Sequence, residues 1–208
     1  MTTRVGTLAS TLGLGRPAVR DEVLADLPES VLIGRATAGD RMAFGQLVLL
    51  HEGKVRALLL RLTSDTTLSD DLAQEVFLRA FRGLVGFRGH SSLGTWLYRI
   101  AYNVFLNHSA RSKRFAALPE DFDVAAAAPD DAMSAPRSDM RRDVRTAIAT
   151  LPDRYRAVVV LYYLQEVTYP EIAEILDLPL GTVKTHLHRA KRLLRRAMDG
   201  DTPTSGAA

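Results

Sequence analysis

From Phe44 onward the core-type positions return every three or four residues: Phe44, Leu47, Val48, His51, Val55, Leu58, Leu59 and Leu62 share one face of a helix. Asp40 stands just ahead of this stripe, where a carboxylate accepts from the free N–H groups of a first turn, and predicts the helix start. A weaker period from Val31 predicts a preceding helix. Thr63 to Ser69 reads as a polar break. The next stripe, Leu72, Val76, Ala80 and Leu84, predicts a helix with Asp70 and Asp71 in a first turn that favours anions. Gly83, Gly86 and Gly89 mark a loop through Ser92. A further helix then runs from about Leu93 to Lys113 with Leu97, Ile100, Ala101 and Val104 inward. Residues 29–114 are expected to form one domain of about four helices.

Residues 115–137 carry Pro119, Pro136, the alanines around Val124 to Ala128 and several acids, which leaves little to bury and predicts a linker. Periodicity resumes at Val144, Ile148 and Leu151. Pro152 interrupts it, and Arg154 to Glu166 reads as a strongly apolar helix. A last pair of helices fills 168–198, closing a second domain over 138–198. Residues 1–28 show no sustained period and are expected to be a flexible extension, with a short helix near Val19 to Leu27. Residues 199–208 read as a flexible tail. The expected fold class is all-α: two small helical domains joined by a flexible acidic linker.

Thr168-Tyr169-Pro170-Glu171 has capping-box spacing, with proline in the tolerated first turn. The short helix it opens would bury Ile172, Ala173, Ile175 and Leu176. Asp177 to Gly181 reads as a tight turn, and Thr182 as the cap of a second helix. In that helix Val183, Leu187, Ala190 and Leu194 form the inner stripe. Lys184, His188, Lys191 and Arg195 form an outer one, flanked by Thr185, Arg189, Arg192 and Arg196. Two short helices, a tight turn and a basic outer face make a helix-turn-helix, whose second helix fits the major groove. The plainer alternative is a helical hairpin with a solvated basic face.

Charge sharpens this picture. The 208 residues carry a net charge of only +3, with a pI near 9.4, but the charge is unevenly placed. Thr182 to Met198 holds six cations and no acid, Arg99 to Arg114 four cations and no acid, and Phe115 to Asp139 six acids against Arg137 alone. Two basic blocks flanking an acidic stretch point to nucleic acid. The first block overlaps a run of aromatics and amides: Phe87, His90, Ser91, the single tryptophan Trp96, Tyr98, Arg99, Tyr102, Asn103 and Asn107. Arg99, Asn103 and Asn107 fall at four-residue steps on one face. Rings that stack and amides that read edges suit unstacked single-stranded bases. The same aromatics also fit ordinary packing.

The absence of cysteine excludes disulfides, thiolate metal sites and cysteine nucleophiles, and fits a reducing cytoplasm. The longest apolar run, Val158 to Leu164, has seven residues, against about 20 for a membrane span. No membrane insertion is expected. The five histidines form no ligand cluster, and no glycine-rich phosphate loop follows a strand. An enzyme is not expected, and no cofactor or metal is implied. A stand-alone helix-turn-helix regulator would account for 138–198, but not for the aromatic run or the Asp70 to Phe81 helix.

Four segments together resemble the extracytoplasmic-function (ECF) sigma factors, the minimal two-domain class of bacterial transcription initiation factors. They are Asp70-Asp71-Leu72-Ala73-Gln74-Glu75-Val76-Phe77-Leu78-Arg79-Ala80-Phe81, the run from Phe87 through Thr95-Trp96-Leu97-Tyr98-Arg99-Ile100-Ala101-Tyr102-Asn103, Leu151-Pro152 with the helix after it, and Tyr169 to Lys184. The resemblance covers roughly 29–198. It implies that 29–114 is sigma region 2 and 138–198 is sigma region 4. Asp71, Gln74, Glu75 and Arg79 would then face the clamp of the largest subunit of core RNA polymerase. Phe87, His90, Ser91 and Trp96 would capture a flipped base of the −10 element, with Arg99, Asn103 and Asn107 on the same strand. Thr182, Lys184, Thr185, His186, His188, Arg189 and Arg192 would meet the −35 duplex. The linker would thread toward the active-site and RNA-exit path. The flap of the second-largest subunit and an anti-sigma factor are further implied partners. His186 and His188 stand where the family often places arginine and an aromatic or histidine. His90 stands where an acid is common, which leaves the accepted base open.

Separating duplex DNA costs about 1.4 kcal/mol per step, and stacking one base on an aromatic returns about 1–3 kcal/mol. One or two captured bases therefore cannot hold a bubble of many steps. The isolated chain is expected to bind promoter DNA weakly without opening it. Permanganate footprinting checks this: stable thymine reactivity with the protein alone contradicts it.

Overall fold

The computed structural model describes Leu24, residues 26–116 and residues 144–198. The extension to residue 28, the linker and the tail therefore fall largely or wholly outside the described residues. The described elements, in chain order, are α1 (Glu29–Thr37), α2 (Arg41–Thr63), α3 (Thr66–Gly83), a 3₁₀ turn (Leu84–Gly86), α4 (Leu93–Ala116), α5 (144–149), α6 (Asp153–Val159) running into a π-turn (Val160–Leu164), α7 (Tyr169–Leu176) and α8 (Leu180–Met198). No strand occurs among the described residues. The fold is all-α.

Local chemistry sets most helix ends. Asp40 accepts from the Met42 and Ala43 N–H groups at 3.0 and 3.1 Å, a cap that contributes about 1 kcal/mol. Ser64, in the left-handed conformation at φ 58°, closes α2 by donating to the Leu60 carbonyl. The break after it is only two residues long, because the Asp65 carboxylate accepts from Leu68 N–H and restarts the helix at Thr66. Asp70 and Asp71 thus lie one turn deeper than the sequence pattern suggested. Asp70 is half-buried and paired with Arg56 of α2. At the second domain, the Glu171 carboxylate takes the Thr168 N–H at 3.0 Å and its hydroxyl at 2.6 Å, which is the expected cap.

Two details differ from expectation. The helix opened after Pro152 widens into a π-turn, with Gln165 N–H bonded to the Val160 carbonyl five residues back. The extra residue swings Tyr162 onto Tyr169, the rings stacked at 4.8 Å. The last helix begins at Leu180, two residues before Thr182, since the Thr182 and Val183 N–H groups are met by the Pro179 carbonyl. Thr182 sits inside the first turn instead of capping it.

The apolar faces meet in one continuous core that includes Leu32, Val55, Leu58, Leu59, Val76 and Phe77 from the first half and Val158, Leu161, Ile172, Ile175 and Val183 from the second. Each fully buried side chain of this size contributes roughly 1.5–3 kcal/mol. The two halves touch directly: α4 packs on α7, and α2 on α6 and the π-turn. Arg156 of α6 links them in polar terms. Its guanidinium donates to the carbonyls of Leu62 at 2.7 Å, Ala149 at 2.6 Å and Leu151 at 2.9 Å. Arg156→Met leaves three carbonyls without that donor and is expected to lower unfolding stability by about 3 kcal/mol. A urea midpoint close to wild type would contradict this.

Candidate nucleic-acid interface

The outer face of α8 follows the sequence stripe. Val183, Leu187 and Ala190 are buried, while Lys184, Thr185, His188, Arg189, Arg192, Arg195 and Arg196 are exposed. Thr185 donates its hydroxyl to the Gly181 carbonyl at 2.9 Å, leaving the oxygen lone pairs outward. α8 is anchored from behind by the tyrosines of the π-turn. Lys191 Nζ lies 5.5 Å from the Tyr163 ring centroid, and Tyr163 stands edge-on to Tyr162 at 4.8 Å.

His186 takes a different place from its neighbours. It is half-buried, its ring edge-on to Tyr155 at 5.3 Å, and its Nδ1 is buried without a partner. Burial, then the nearby Arg154 and Arg189 charges, hold its pKa below the ordinary 6.5. A neutral imidazole turned against Tyr155 cannot anchor a phosphate as arginine does. Thr182 is likewise half-buried.

In the first half, the loop from Phe87 to Ser92 joins the 3₁₀ turn to α4. His90 is exposed, Ser91 half-buried, and Gly89 has the left-handed φ of +70° that glycine adopts without strain. Phe87 and Trp96 pack together at 5.3 Å, and both are half-buried. Trp96 lies against the end of α3, where a Cβ on Gly83 would be in ordinary contact with the indole at 3.4 Å. Arg99, Asn103 and Asn107 are exposed on α4, one turn apart. They form one polar strip, as their spacing predicted.

Asp71 and Arg79 are exposed on α3, and Gln74 and Glu75 half-buried. Glu75 accepts from Arg79 at 2.6 Å. This pair borders an open groove of about 500 Å³ between α3 and α4, lined also by Asn107, His108, Arg111 and Arg114. The two surfaces expected in the first domain thus meet at one groove. The two arginines on α4, Arg111 and Arg114, were visible in the sequence only as part of a basic run.

Sequence reasoning did not anticipate that α4 presents its other face to the second domain. Thr95 is buried, and its hydroxyl donates to Glu171 Oε1 at 3.1 Å. The Tyr98 hydroxyl donates to Gln165 Oε1 at 2.8 Å. Lys113 reaches Asp153 at 3.2 Å. Glu171 therefore caps α7 with one oxygen and holds α4 with the other. The Thr168 bonds chiefly, then Thr95, keep its carboxyl below the usual range. Burial pushes the Tyr98 phenol up to about 12.

Comparison with known proteins places both halves. Residues 47–115 match Sigma-70 region 2, and residues 141–194 match Sigma-70, region 4. The chain is 34% identical over 193 residues to the RNA polymerase sigma-H factor of Pseudomonas aeruginosa, covering 85% of this chain and 96% of that one. It is 33% identical over 180 residues to the ECF RNA polymerase sigma factor SigW of Bacillus subtilis, covering 80% and 94%. Among solved structures, CnrH in complex with the cytosolic domain of CnrY aligns with a TM-score of 0.61 at 28% identity, over 84% of this chain and 99% of that one. The sigma factor RpoE in complex with the anti-sigma factor NepR from Bartonella quintana has the same fold, with a TM-score of 0.62 at 24% identity, over 76% and 98%.

The Tyr98 contact has a defined pH dependence. A folded-state pKa above the ordinary phenol value means its contribution is complete below about 10 and lost as pH rises through about 12. In a spectrophotometric titration, Tyr98→Phe should remove the last tyrosine to ionise. A high-pH step that survives the substitution contradicts the assignment.

Proposed function

Because the chain belongs to the ECF sigma factors, transcription initiation factors that direct RNA polymerase to promoters, we propose that residues 29–114 and 138–198 read the −10 and −35 elements of one promoter as separate bodies joined by the linker 115–137. In this reading α8 lies in the major groove of the −35 duplex. Lys184, Thr185 and His188 meet base edges, and Arg189 and Arg192 meet phosphates. His186 sets the angle of α8 from behind, through Tyr155. The loop from Phe87 to Ser91, backed by Trp96, receives a flipped −10 base, while Arg99, Asn103 and Asn107 follow the strand. Asp71, Gln74, Glu75 and Arg79 dock on the clamp of the largest polymerase subunit. Residues 138–198 meet the flap of the second-largest subunit. The chain works in the cytoplasm, and the chemistry of RNA synthesis stays with the polymerase. An anti-sigma factor is the silencing partner in this reading.

The observation that carries this reading is the exposed, acid-free cationic face of α8 on the same chain as the exposed Arg99, Asn103 and Asn107 strip. Spacing adds a requirement. Two elements about 25 base pairs apart span roughly 85 Å of duplex at ~3.4 Å per pair. With Thr95 bonded to Glu171 at 3.1 Å, the two reading surfaces sit on one packed body. To engage both elements, α4 must leave α7. An extended 23-residue linker reaches about 80 Å, and the widths of the two domains add to that reach.

Run-off transcription with the purified chain, sigma-free core polymerase and fragmented DNA of the source organism tests the reading. Discrete transcripts that vanish when the protein is omitted are expected, and their start sites give the promoter sequence. No transcripts, with specific duplex binding retained, would replace it with a stand-alone regulator.

A further inference from the structure

α6 brings a cation to the edge of α8 that lies outside the two helices of the helix-turn-helix. The Arg154 guanidinium lies over the Tyr155 ring, its carbon 4.9 Å from the centroid. His186 stands edge-on to the same ring at 5.3 Å, one turn before Arg189 on α8. Arg154 and Arg189 are both exposed, while the Tyr155 ring is buried with 7% of the residue accessible. Both guanidiniums thus act on one fixed phenol at the margin of the cationic face. Among the described residues neither has a carboxylate partner. Asp153, next in sequence, is engaged instead by Lys113 at 3.2 Å and by Arg156 at 3.6 Å.

We propose that Arg154, Tyr155 and Arg189 together grip one backbone phosphate of the duplex that α8 reads, so that the helix ahead of the helix-turn-helix extends its DNA interface. This rests on the reading of α8 as the duplex-binding helix. The chemistry fits a phosphate and not a base. Two planar guanidiniums match phosphate oxygens in a fork geometry, and a phenol hydroxyl between them adds a neutral donor. Unneutralised like charges side by side repel, and an anion relieves that repulsion. The nearby Arg189 guanidinium, then Arg154, holds the Tyr155 hydroxyl below its ordinary pKa. His186, neutral at pH 7 and turned inward, adds no charge there; it braces the ring.

Counterion release gives the test. Each phosphate neutralised by a cation adds about 0.9 to the slope of log affinity against log salt, or about eightfold in affinity at 0.1 M relative to 1 M salt. The full chain is titrated with a short DNA duplex of arbitrary sequence at several salt concentrations. Arg154→Gln is expected to make the slope shallower by roughly 0.9 and Arg154→Lys to keep it. Tyr155→Phe should weaken binding without changing the slope, because a neutral donor releases no counterion. Lys54→Gln, exposed on α2, serves as the remote control. A wild-type slope for Arg154→Gln overturns the inference. If Arg189→Gln is then shallower, α8 keeps its role and only Arg154 is removed from the interface. If Arg189→Gln also has the wild-type slope, the assignment of α8 falls as well.

Discussion

The Arg156 guanidinium joins three chain segments that otherwise end in unpaired carbonyls. A helix leaves its last C=O groups without internal partners. Leu62 closes α2, Ala149 closes α5, and Leu151 lies in the turn before α6; Arg156 donates to all three. A cation at two helix C-termini also meets the favourable end of each dipole. One side chain thus completes the second domain locally and ties it to the first. The register of α6, of the π-turn and of everything packed on them follows from that anchorage.

The position of α8 follows in turn. Pinned α6 presents Tyr155 to His186 and, within the π-turn it runs into, Tyr162 and Tyr163 face Tyr169 and Lys191. These contacts leave the cationic stripe of α8 outward. The same packing sets α7 against α4, where Glu171 and Gln165 receive the hydroxyls of Thr95 and Tyr98. α4 therefore has two working faces. One, with Arg99, Asn103 and Asn107, is open to solvent; the other, with Thr95 and Tyr98, is closed on the second domain. The polar links between the domains are Arg156 to Leu62, Thr95 to Glu171, Tyr98 to Gln165 and Lys113 to Asp153, beside an apolar core that both halves share.

Much of the site was legible because it depends on period and local chemistry. The inner stripe of α8, the Asp40 cap, the Thr168–Glu171 cap and the face shared by Arg99, Asn103 and Asn107 are all local patterns. The departures are local as well. Asp65 restarts a helix that Thr63 to Ser69 seemed to break. Pro179 offers a carbonyl that lets α8 begin at Leu180. In both cases a capping group started a helix where the sequence pattern read a break or a turn. His186 shows the limit of stripe reading: it lies between the buried and exposed rows, and only its neighbour Tyr155 turns it inward.

The sequence by itself determined that the chain is all-α, that it has a helix-turn-helix with a cationic outer face, and that its motifs are those of a two-domain initiation factor. These follow from side-chain spacing along one helix and from residues a turn apart. What only the tertiary structure decided is how elements far apart in the chain meet: Arg156 on Leu62, Thr95 on Glu171, Tyr98 on Gln165, and Arg154 beside Arg189 across Tyr155. Such pairings leave no periodic trace, because a donor and an acceptor separated by many residues are matched by the packing angle between helices and not by any spacing along the chain.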